Sequence, residues 1–336
     1  MYNPSEAGKK GSIFGLPYEK AEADLVFLPV HLDTTVSYAD GTAKAPTTIL
    51  NESSQLDLSL IDINAPWLLK MAMLPKFVAK SQNEIHRARA KTVIKAIESG
   101  KKVDLDQVRF VNEFCAKVHE EVEQISLSLI ESNKIVAVVG GDHSSPLGLI
   151  RALASKEQFG ILQIDAHMDL REAYEGFAYS HASIMYNALS HPNVQRLVQV
   201  GIRDFCEEEE DLITENKDRI KVFYDEVIFR AKNSGLSFLQ QAKEIVECLP
   251  EKVYISFDVD GLNPSLCPNT GTPVPGGLEF NEVILLFSEV VKSGRRIIGF
   301  DVCETGDQSW DANVAARVLF RLAAYSGVSN GLLQFR

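Results

Sequence analysis

The sequence predicts an α/β fold, a three-layer αβα sandwich around a mostly parallel central sheet. Three short runs rich in Val and Ile, at 135–139, 161–164 and 253–257, have the composition of strands buried on both faces. Segments with helical spacing of apolar residues alternate with such runs along the chain. No Ser-, Gly- or Pro-rich linker divides the pattern, so we expect a single domain over residues 23–336, preceded by a polar N-terminal arm over residues 1–22.

The first 133 residues predict one strand, one loop and three helices. Residues 24–30 form the strand, and the small polar residues at 34–42 form a turn-rich loop at its end. Apolar positions then recur at helical spacing, which predicts helices at 45–52, 82–99 and 104–133. The stretch 61–80 is less regular. Within it, the segment Trp67 to Leu74 is either a lid or oligomer contact, or a satellite of the main core.

Strands and helices alternate through the rest of the chain. Besides the three runs that predict the fold, apolar stretches indicate strands at 197–200, 220–224 and 296–302. Periodic apolar positions indicate helices at 146–155, 180–189, 207–215, 236–248, 281–293 and 313–324. This order is typical of parallel sheets, in which ligands bind outside the carboxyl ends of the strands.

Composition excludes several classes of partner. A formal charge of −12 disfavours nucleic acid and anionic membranes and is compatible with a small cationic ligand.

The five cysteines are an odd number without a Cys-x-x-Cys pair, which indicates reduced thiols. The N-terminus lacks an apolar signal region, and no run of about 18 apolar residues occurs. We therefore expect a cytoplasmic protein.

Six side chains that bind metals lie at or just past the ends of the three Val- and Ile-rich runs. Because side chains alternate along extended backbone, residues two apart point the same way and can converge. Four carboxylates at close range would repel one another unless cations were present. The sequence therefore predicts a site for two divalent cations, formed by His143, Asp165, His167, Asp169, Asp258 and Asp260.

The donor set also indicates which metal and which chemistry to expect. Oxygen and imidazole nitrogen without thiolate suit Mn, Ni, Co or Fe, and argue against structural zinc or an iron–sulfur cluster. Two such cations can lower the pKa of a shared water toward neutrality, which makes hydrolysis the natural reaction. We expect Mn first and Ni as the alternative.

Three motifs resemble the signatures of the ureohydrolase family, which comprises arginase, agmatinase, formiminoglutamase and guanidino-acid hydrolases. They are Gly-Gly-Asp-His-Ser at 140–144, Asp-Ala-His-Met-Asp at 165–169 and Ser-Phe-Asp-Val-Asp-Gly-Leu-Asn-Pro at 256–264. All three occur in the family's order. The segment 268–278 is similar to the Thr-Gly-Thr-Pro turn of agmatinases, so the resemblance is to the agmatinase-like branch.

The resemblance implies a role for each site residue. Asp165 and Asp258 would bridge the two cations, and Asp169 would also pass a proton to the leaving nitrogen. Glu304 matches the carboxylate that binds the guanidinium, and His181 matches the histidine that shuttles protons. The first cation would be held by His143, Asp165, Asp169 and Asp258, and the second by Asp165, His167, Asp258 and Asp260.

The resemblance also implies a reaction, hydrolysis of a guanidino compound to urea and an amine, with agmatine as the first candidate. Guanidinobutyrate or another guanidino acid, and guanidine itself, are the alternatives. A substrate carboxylate is less favoured, because only Arg171 and Arg203 offer a cation for it. Residues 305–307 depart from the family pattern and should alter a wall of the substrate pocket.

Two further expectations concern the state of the protein. A competing class of function is a non-catalytic metal-binding scaffold that keeps the fold without turnover. Family members assemble as trimers or hexamers, which implies a homo-oligomer here.

Overall fold

The computed structural model describes Pro4 and residues 8–75 and 80–336. In that part of the chain, eight parallel strands form one sheet with the order β2-β1-β3-β8-β7-β4-β5-β6. The strands are β1 Leu25–Pro29, β2 Met71–Met73, β3 Ile135–Val139, β4 Phe159–Ile164, β5 Val194–Ile202, β6 Ile220–Tyr224, β7 Lys252–Phe257 and β8 Arg296–Val302.

Helices cover both faces of this sheet. They are α1 Ala45–Ser53, α2 Lys80–Glu98, α3 Leu105–Glu131, α4 Leu147–Ala154, α5 Ile184–Leu189, α6 Glu207–Glu215, α7 Asp225–Asn233, α8 Phe238–Glu247, α9 Phe280–Lys292 and α10 Ser309–Ser329. Buried residues of α2 to α5 contribute to one core, and buried residues of α1 and α7 to α10 contribute to the other. The predicted three-layer αβα sandwich is confirmed.

Strand residues divide between the two cores according to their alternation. In β1, Leu25 and Phe27 join one core, whereas Val26 and Leu28 join the other. All five residues of this strand are buried. Strands whose two faces are both covered by helices are mostly apolar, which is why the Val- and Ile-rich runs predicted the strands.

Two elements were not predicted. The edge strand β2 has three residues, too few to show a pattern, and pairs with β1 from Leu25↔Met71 to Phe27↔Met73. Helix α7 begins directly after β6 with no turn residue between them, so its start was not recognisable.

The buried Leu69 and Met71 confirm that the Trp67 to Leu74 segment belongs to the core. Residues 76–79 of the stretch 61–80 lie outside the described residues.

The N-terminal segment reaches the interior. Ile13, Phe14 and Leu16 are buried in the core that includes α1 and α10. Residues 1–3 and 5–7 of the predicted arm lie outside the described residues, and the domain boundary at residue 22 stays a prediction. In the part of the chain that the structure describes, no helix is long and apolar enough to cross a membrane.

The four central strands, β3, β8, β7 and β4, position the site. Their carboxyl ends are adjacent, and each is followed by residues that the sequence predicted to be functional. Close packing at the end of β3 requires glycine, because a Cβ at Gly141 would lie 1.9 Å from the carbonyl oxygen of Leu32.

Candidate metal centre

The six predicted ligands converge at the carboxyl ends of β3, β4 and β7. Five of them are buried, and the side chain of His167 is 25% exposed. Two groups of donor atoms lie close enough together to hold a metal ion, one formed by His143, Asp165 and Asp258 and the other by Asp165, His167 and Asp260. Asp165 belongs to both groups, as a bridging ligand would.

Carboxylate oxygens surround Nδ1 of His143. The distances are 2.8 Å to Asp169 Oδ2, 3.0 Å to Asp165 Oδ2 and 3.4 Å to Asp258 Oδ2. This nitrogen is buried and makes no hydrogen bond. Three oxygens and one nitrogen thus face a common point, an arrangement that fits a divalent cation.

The second group lies around His167. Its Nδ1 is 3.1 Å from Asp260 Oδ2 and 3.6 Å from Asp165 Oδ1. Asp258 belongs only to the first group, and its Oδ1 accepts a hydrogen bond of 2.9 Å from the backbone N–H of Asp260. The bridging role of Asp258 stays a prediction.

Buried polar side chains within strands orient these ligands. Nε2 of His143 lies 2.9 Å from Ser256 Oγ, which donates to Asp301 Oδ2 at 2.9 Å. Tyr254 also donates to Asp301 Oδ2, at 2.7 Å. With Nε2–H donating to Ser256, the lone pair of Nδ1 is directed at the predicted cation.

A similar relay supports Asp165. Gln163 Nε2 donates to Asp165 Oδ2 at 2.7 Å, and Gln199 Nε2 donates to Gln163 Oε1 at 2.6 Å. Sequence analysis missed both relays. The available signal was a polar residue inside an otherwise apolar strand, as with Gln163, Ser256 and Asp301. Such a residue needs a buried partner.

In the protein without cations, the surrounding carboxylates favour protonation of His143 and His167. Burial alone would lower the pKa of His167, but Asp260 and Asp165 raise it to about 12. At His143, burial also acts to lower the pKa. Asp165 and Asp169 outweigh it and raise the pKa well above its usual value. Burial and the charge of Asp165 raise the pKa of Asp169 to about 7. Without cations, bound protons thus neutralise part of the negative charge of the carboxylates. Two divalent cations would neutralise the same charge.

Glu304 follows β8, and its carboxylate reaches the same region. Oε1 accepts a hydrogen bond of 2.9 Å from the backbone N–H of His143, whereas the buried Oε2 has no hydrogen-bond partner. Burial raises the pKa of Glu304 well above its usual value, and the charge of Asp142 adds to this. Its φ of 59°, like that of Asp169 at 55°, is in the left-handed region. Such backbone costs about 1–3 kcal/mol and clusters at functional sites.

His181 lies in a short 3₁₀ turn before α5 and lines a narrow cavity together with Glu304. Its Nδ1 is 3.3 Å from Ser180 Oγ, and its ring meets the ring of Tyr174 edge to face. Burial, reinforced by charge on His167 and His143, lowers the pKa of His181 to about 3. The imidazole is therefore neutral at pH 7.

A wider cavity of about 400 Å³ leads outward from His167, Asp169 and His181. Asp204 lies at its rim with 67% of the side chain exposed. Arg171 also lines it and stacks on Tyr174, with 4.8 Å from Cζ to the ring centroid.

Arg203, the other predicted cation, is engaged elsewhere. Its guanidinium donates to the carbonyl oxygens of Gly201, Asp260, Leu262 and Val274. Among the two arginines that the sequence offered for a substrate carboxylate, only Arg171 lines the cavity.

Known proteins are similar to this chain in sequence and in fold. The model of the Arginase family matches residues 23–325. N(1)-aminopropylagmatine ureohydrolase of Thermus thermophilus is 31% identical over 94% of each sequence. The structure of agmatine ureohydrolase from Thermoplasma volcanium has a TM-score of 0.71 and 25% identity over 94% of both chains. Proclavaminate amidino hydrolase from Streptomyces clavuligerus has a TM-score of 0.73 at 22% identity, covers 96% of this chain and 99% of its own, and has the same fold.

Proposed function

Because the chain belongs to the arginase family, we propose that it hydrolyses the guanidino group of a small cationic compound, releasing urea and an amine. The predicted enzyme class, a hydrolase of the ureohydrolase type, is confirmed by that membership. The observation that carries the specific proposal is the convergence of His181 and Glu304 on one narrow cavity beside the six clustered ligands.

The donor groups support a centre of two cations, with Mn expected first and Ni as the alternative. His143, Asp165, Asp169 and Asp258 would hold one cation, and Asp165, His167, Asp258 and Asp260 would hold the other. When bound, the two cations supply a water whose pKa is lowered toward neutrality as the nucleophile.

Glu304 supplies the recognition of the guanidinium. Its Oε2 is buried without a hydrogen-bond partner, a costly state that a planar N–H donor group would relieve. A guanidinium charge would also favour the ionised carboxylate, whose pKa is raised without it. Glu304 would thereby fix the orientation of the guanidinium in the narrow cavity.

His181 supplies the proton that the leaving amine requires. Because its imidazole is neutral at pH 7, it would accept the proton that the attacking water loses on adding to the guanidino carbon, and then donate it to the leaving amine nitrogen. Asp169, whose Oδ2 lies 2.8 Å from His143 Nδ1, stays the second group predicted to pass a proton to the leaving nitrogen. Replacing His181 by Asn should reduce kcat while metal content is unchanged.

The outer cavity supports a substrate with a second cation. The exposed carboxylate of Asp204 would attract an ammonium group, and the relatives named as acting on aminopropylagmatine and agmatine fit this chemistry. We place N(1)-aminopropylagmatine and agmatine first. Guanidino acids would depend on Arg171, and guanidine itself would leave the outer cavity unused.

The test is release of urea by the purified protein loaded with Mn or Ni. The panel contains agmatine, N(1)-aminopropylagmatine, guanidinobutyrate and guanidine, and Glu304→Gln serves as a metal-loaded control. We expect turnover of the aminoalkyl guanidines, abolished in the control. Two metals bound per chain with no urea from any compound would contradict the proposal and favour a metal-binding scaffold.

A further inference from the structure

One wall of the narrow cavity is formed by an irregular loop after β1. We call residues 33–41 the β1 loop; it contains no helix or strand. Its residues 36–39 line the cavity opposite Gly271 and Thr272, beside Glu304 and His181. The cavity holds about 10 Å³, close to the space of one water molecule. A small displacement of this wall therefore decides whether a guanidinium fits.

Asn83 of α2 holds the first part of the loop. Its Nδ2 donates to Asp33 Oδ1 at 2.7 Å, and its Oδ1 accepts from Thr34 Oγ1 at 2.8 Å and from the backbone N–H of Asp33 at 3.1 Å. Asn83 and Asp33 are only 4% and 6% exposed. Buried hydrogen bonds of this kind are costly to break, because each lost partner leaves an unsatisfied group.

Arg87 holds the second part. Its Nε and Nη2 donate to Asp40 Oδ1 at 2.9 and 2.7 Å, and its Nη1 donates to the carbonyl oxygen of Thr34 at 3.4 Å. Lys91 also pairs with Asp40. Positions 83, 87 and 91 are four residues apart, so they lie on one face of α2.

These contacts border a second cavity. This cavity of about 580 Å³ opens between the β1 loop and α2, and its lining includes Asp33, Asp40, Asn83 and Arg87. The hydrogen bonds of Asn83 and Arg87 therefore join the loop to α2 directly at the edge of this cavity. At the end of the loop, Asp33 Oδ2 accepts from the backbone N–H of Gly41 at 3.2 Å.

We propose that Asn83 and Arg87 are positioning residues that hold the β1 loop against the narrow cavity and thereby set the affinity for the guanidino substrate. Neither residue lines that cavity, so each acts through the loop. The proposal rests on the proposed function, since the cavity is assigned there to the guanidinium. It predicts that loosening α2 from the loop weakens substrate binding and leaves the metal centre intact.

The experiment compares Arg87→Met, Arg87→Lys and Asn83→Ala with Arg89→Met, a control at an exposed position of the same helix. For metal-loaded protein we measure metal content, KM, kcat and hydrogen exchange of amides 34–41. Arg87→Met and Asn83→Ala should raise KM about tenfold, the effect of losing a hydrogen bond to a charged or buried group. Metal content and kcat should stay within about twofold.

Two further results complete the expectation. Amides 34–41 should exchange faster in Arg87→Met and Asn83→Ala, whereas Arg89→Met should match the wild type. Arg87→Lys keeps the charge without the two-donor geometry, so it should recover part of the KM change. If Asn83 and Arg87 only stabilised the fold, replacing them would lower the fraction of active protein. KM would then not rise while kcat stays nearly unchanged.

Unchanged KM in both Arg87→Met and Asn83→Ala would overturn the inference, whether or not loop exchange rises. If the wild type releases no urea, the proposed function fails separately, and calorimetric binding of guanidinium chloride to metal-loaded protein then decides. Weaker binding by Arg87→Met than by wild type supports the positioning role. Equal binding, or none by the wild type, overturns it.

Discussion

The floor and the wall of the candidate site are constructed differently. The floor consists of ligands at the ends of β3, β4 and β7, which are neighbours in one sheet or separated by β8 alone. Strand register positions each ligand, and buried relays such as Ser256 to Asp301 fix its orientation. The wall is the β1 loop, which is attached to α2 through side chains 47–51 residues distant in sequence.

This difference separates chemistry from selectivity. Strand ends within a packed sheet suit groups whose distances must be held closely for metal binding. A loop held by a few polar contacts can be changed without altering those distances. We infer that substitutions in the floor change metal binding and turnover, whereas substitutions around the wall change affinity for substrate.

The largest expected effect comes from Asp258→Asn in the floor. Loss of this carboxylate should reduce metal content and lower kcat by roughly a thousandfold, since metal ions contribute several kcal/mol of charge stabilisation. Metal analysis and urea release measure both quantities. Two bound metals with near-normal kcat would show that Asp258 does not bridge.

The next effect concerns pH. His143 and His167 have raised pKa values without cations, so both are protonated at pH 7, and metal ligation must expel about two protons. Affinity for Mn should therefore fall as pH decreases, by about 100-fold per pH unit above pH 7 and more steeply below it, where Asp169 also holds a proton that ligation expels. Calorimetry in buffers of different ionisation enthalpy measures the protons released. No dependence on buffer would contradict the assignment of these imidazoles as ligands.

A smaller effect is expected for Asp301→Asn. The amide is a weaker acceptor for Ser256, so His143 is held less firmly and metal affinity should fall about 10- to 100-fold. Tyr254→Phe removes another donor to Asp301 Oδ2 but keeps the contacts of Ser256 with Asp301 and His143, so it serves as the comparison and should have a smaller effect. Equal metal affinity in Asp301→Asn and wild type would argue against the relay.

The smallest effect is expected on the side of the wall at Lys44→Met. Lys44 pairs with Asp307 at 2.7 Å, but its side chain is 57% exposed. Exposed pairs contribute about 0–1 kcal/mol, so KM should change less than about fivefold. A change as large as that of Arg87→Met would mean that the loop is held from both ends. Asp307 is one of residues 305–307, which depart from the family pattern. Its pair with Lys44 connects them to the segment after the β1 loop.

Much of this arrangement was predictable. The strands 135–139, 220–224 and 296–302 have the predicted bounds. Five of the six predicted ligands form the two donor groups, and the sixth, Asp169, lies 2.8 Å from His143. Their assigned roles, and those of His181 and Glu304, remain proposals. The edge strand β2 and helix α7 were missed, because three residues show no period and α7 follows β6 without a turn signal.

The sequence by itself determined the αβα fold, the family and the positions of the metal-binding side chains. These follow from local patterns, because the ligands lie within a few residues of their strand ends and parallel strands bring those ends to one edge. Tertiary structure alone decided which buried partners orient the ligands and how the β1 loop is held. Contacts such as Asn83 with Asp33 join residues 50 positions apart, and no local pattern specifies such a pairing.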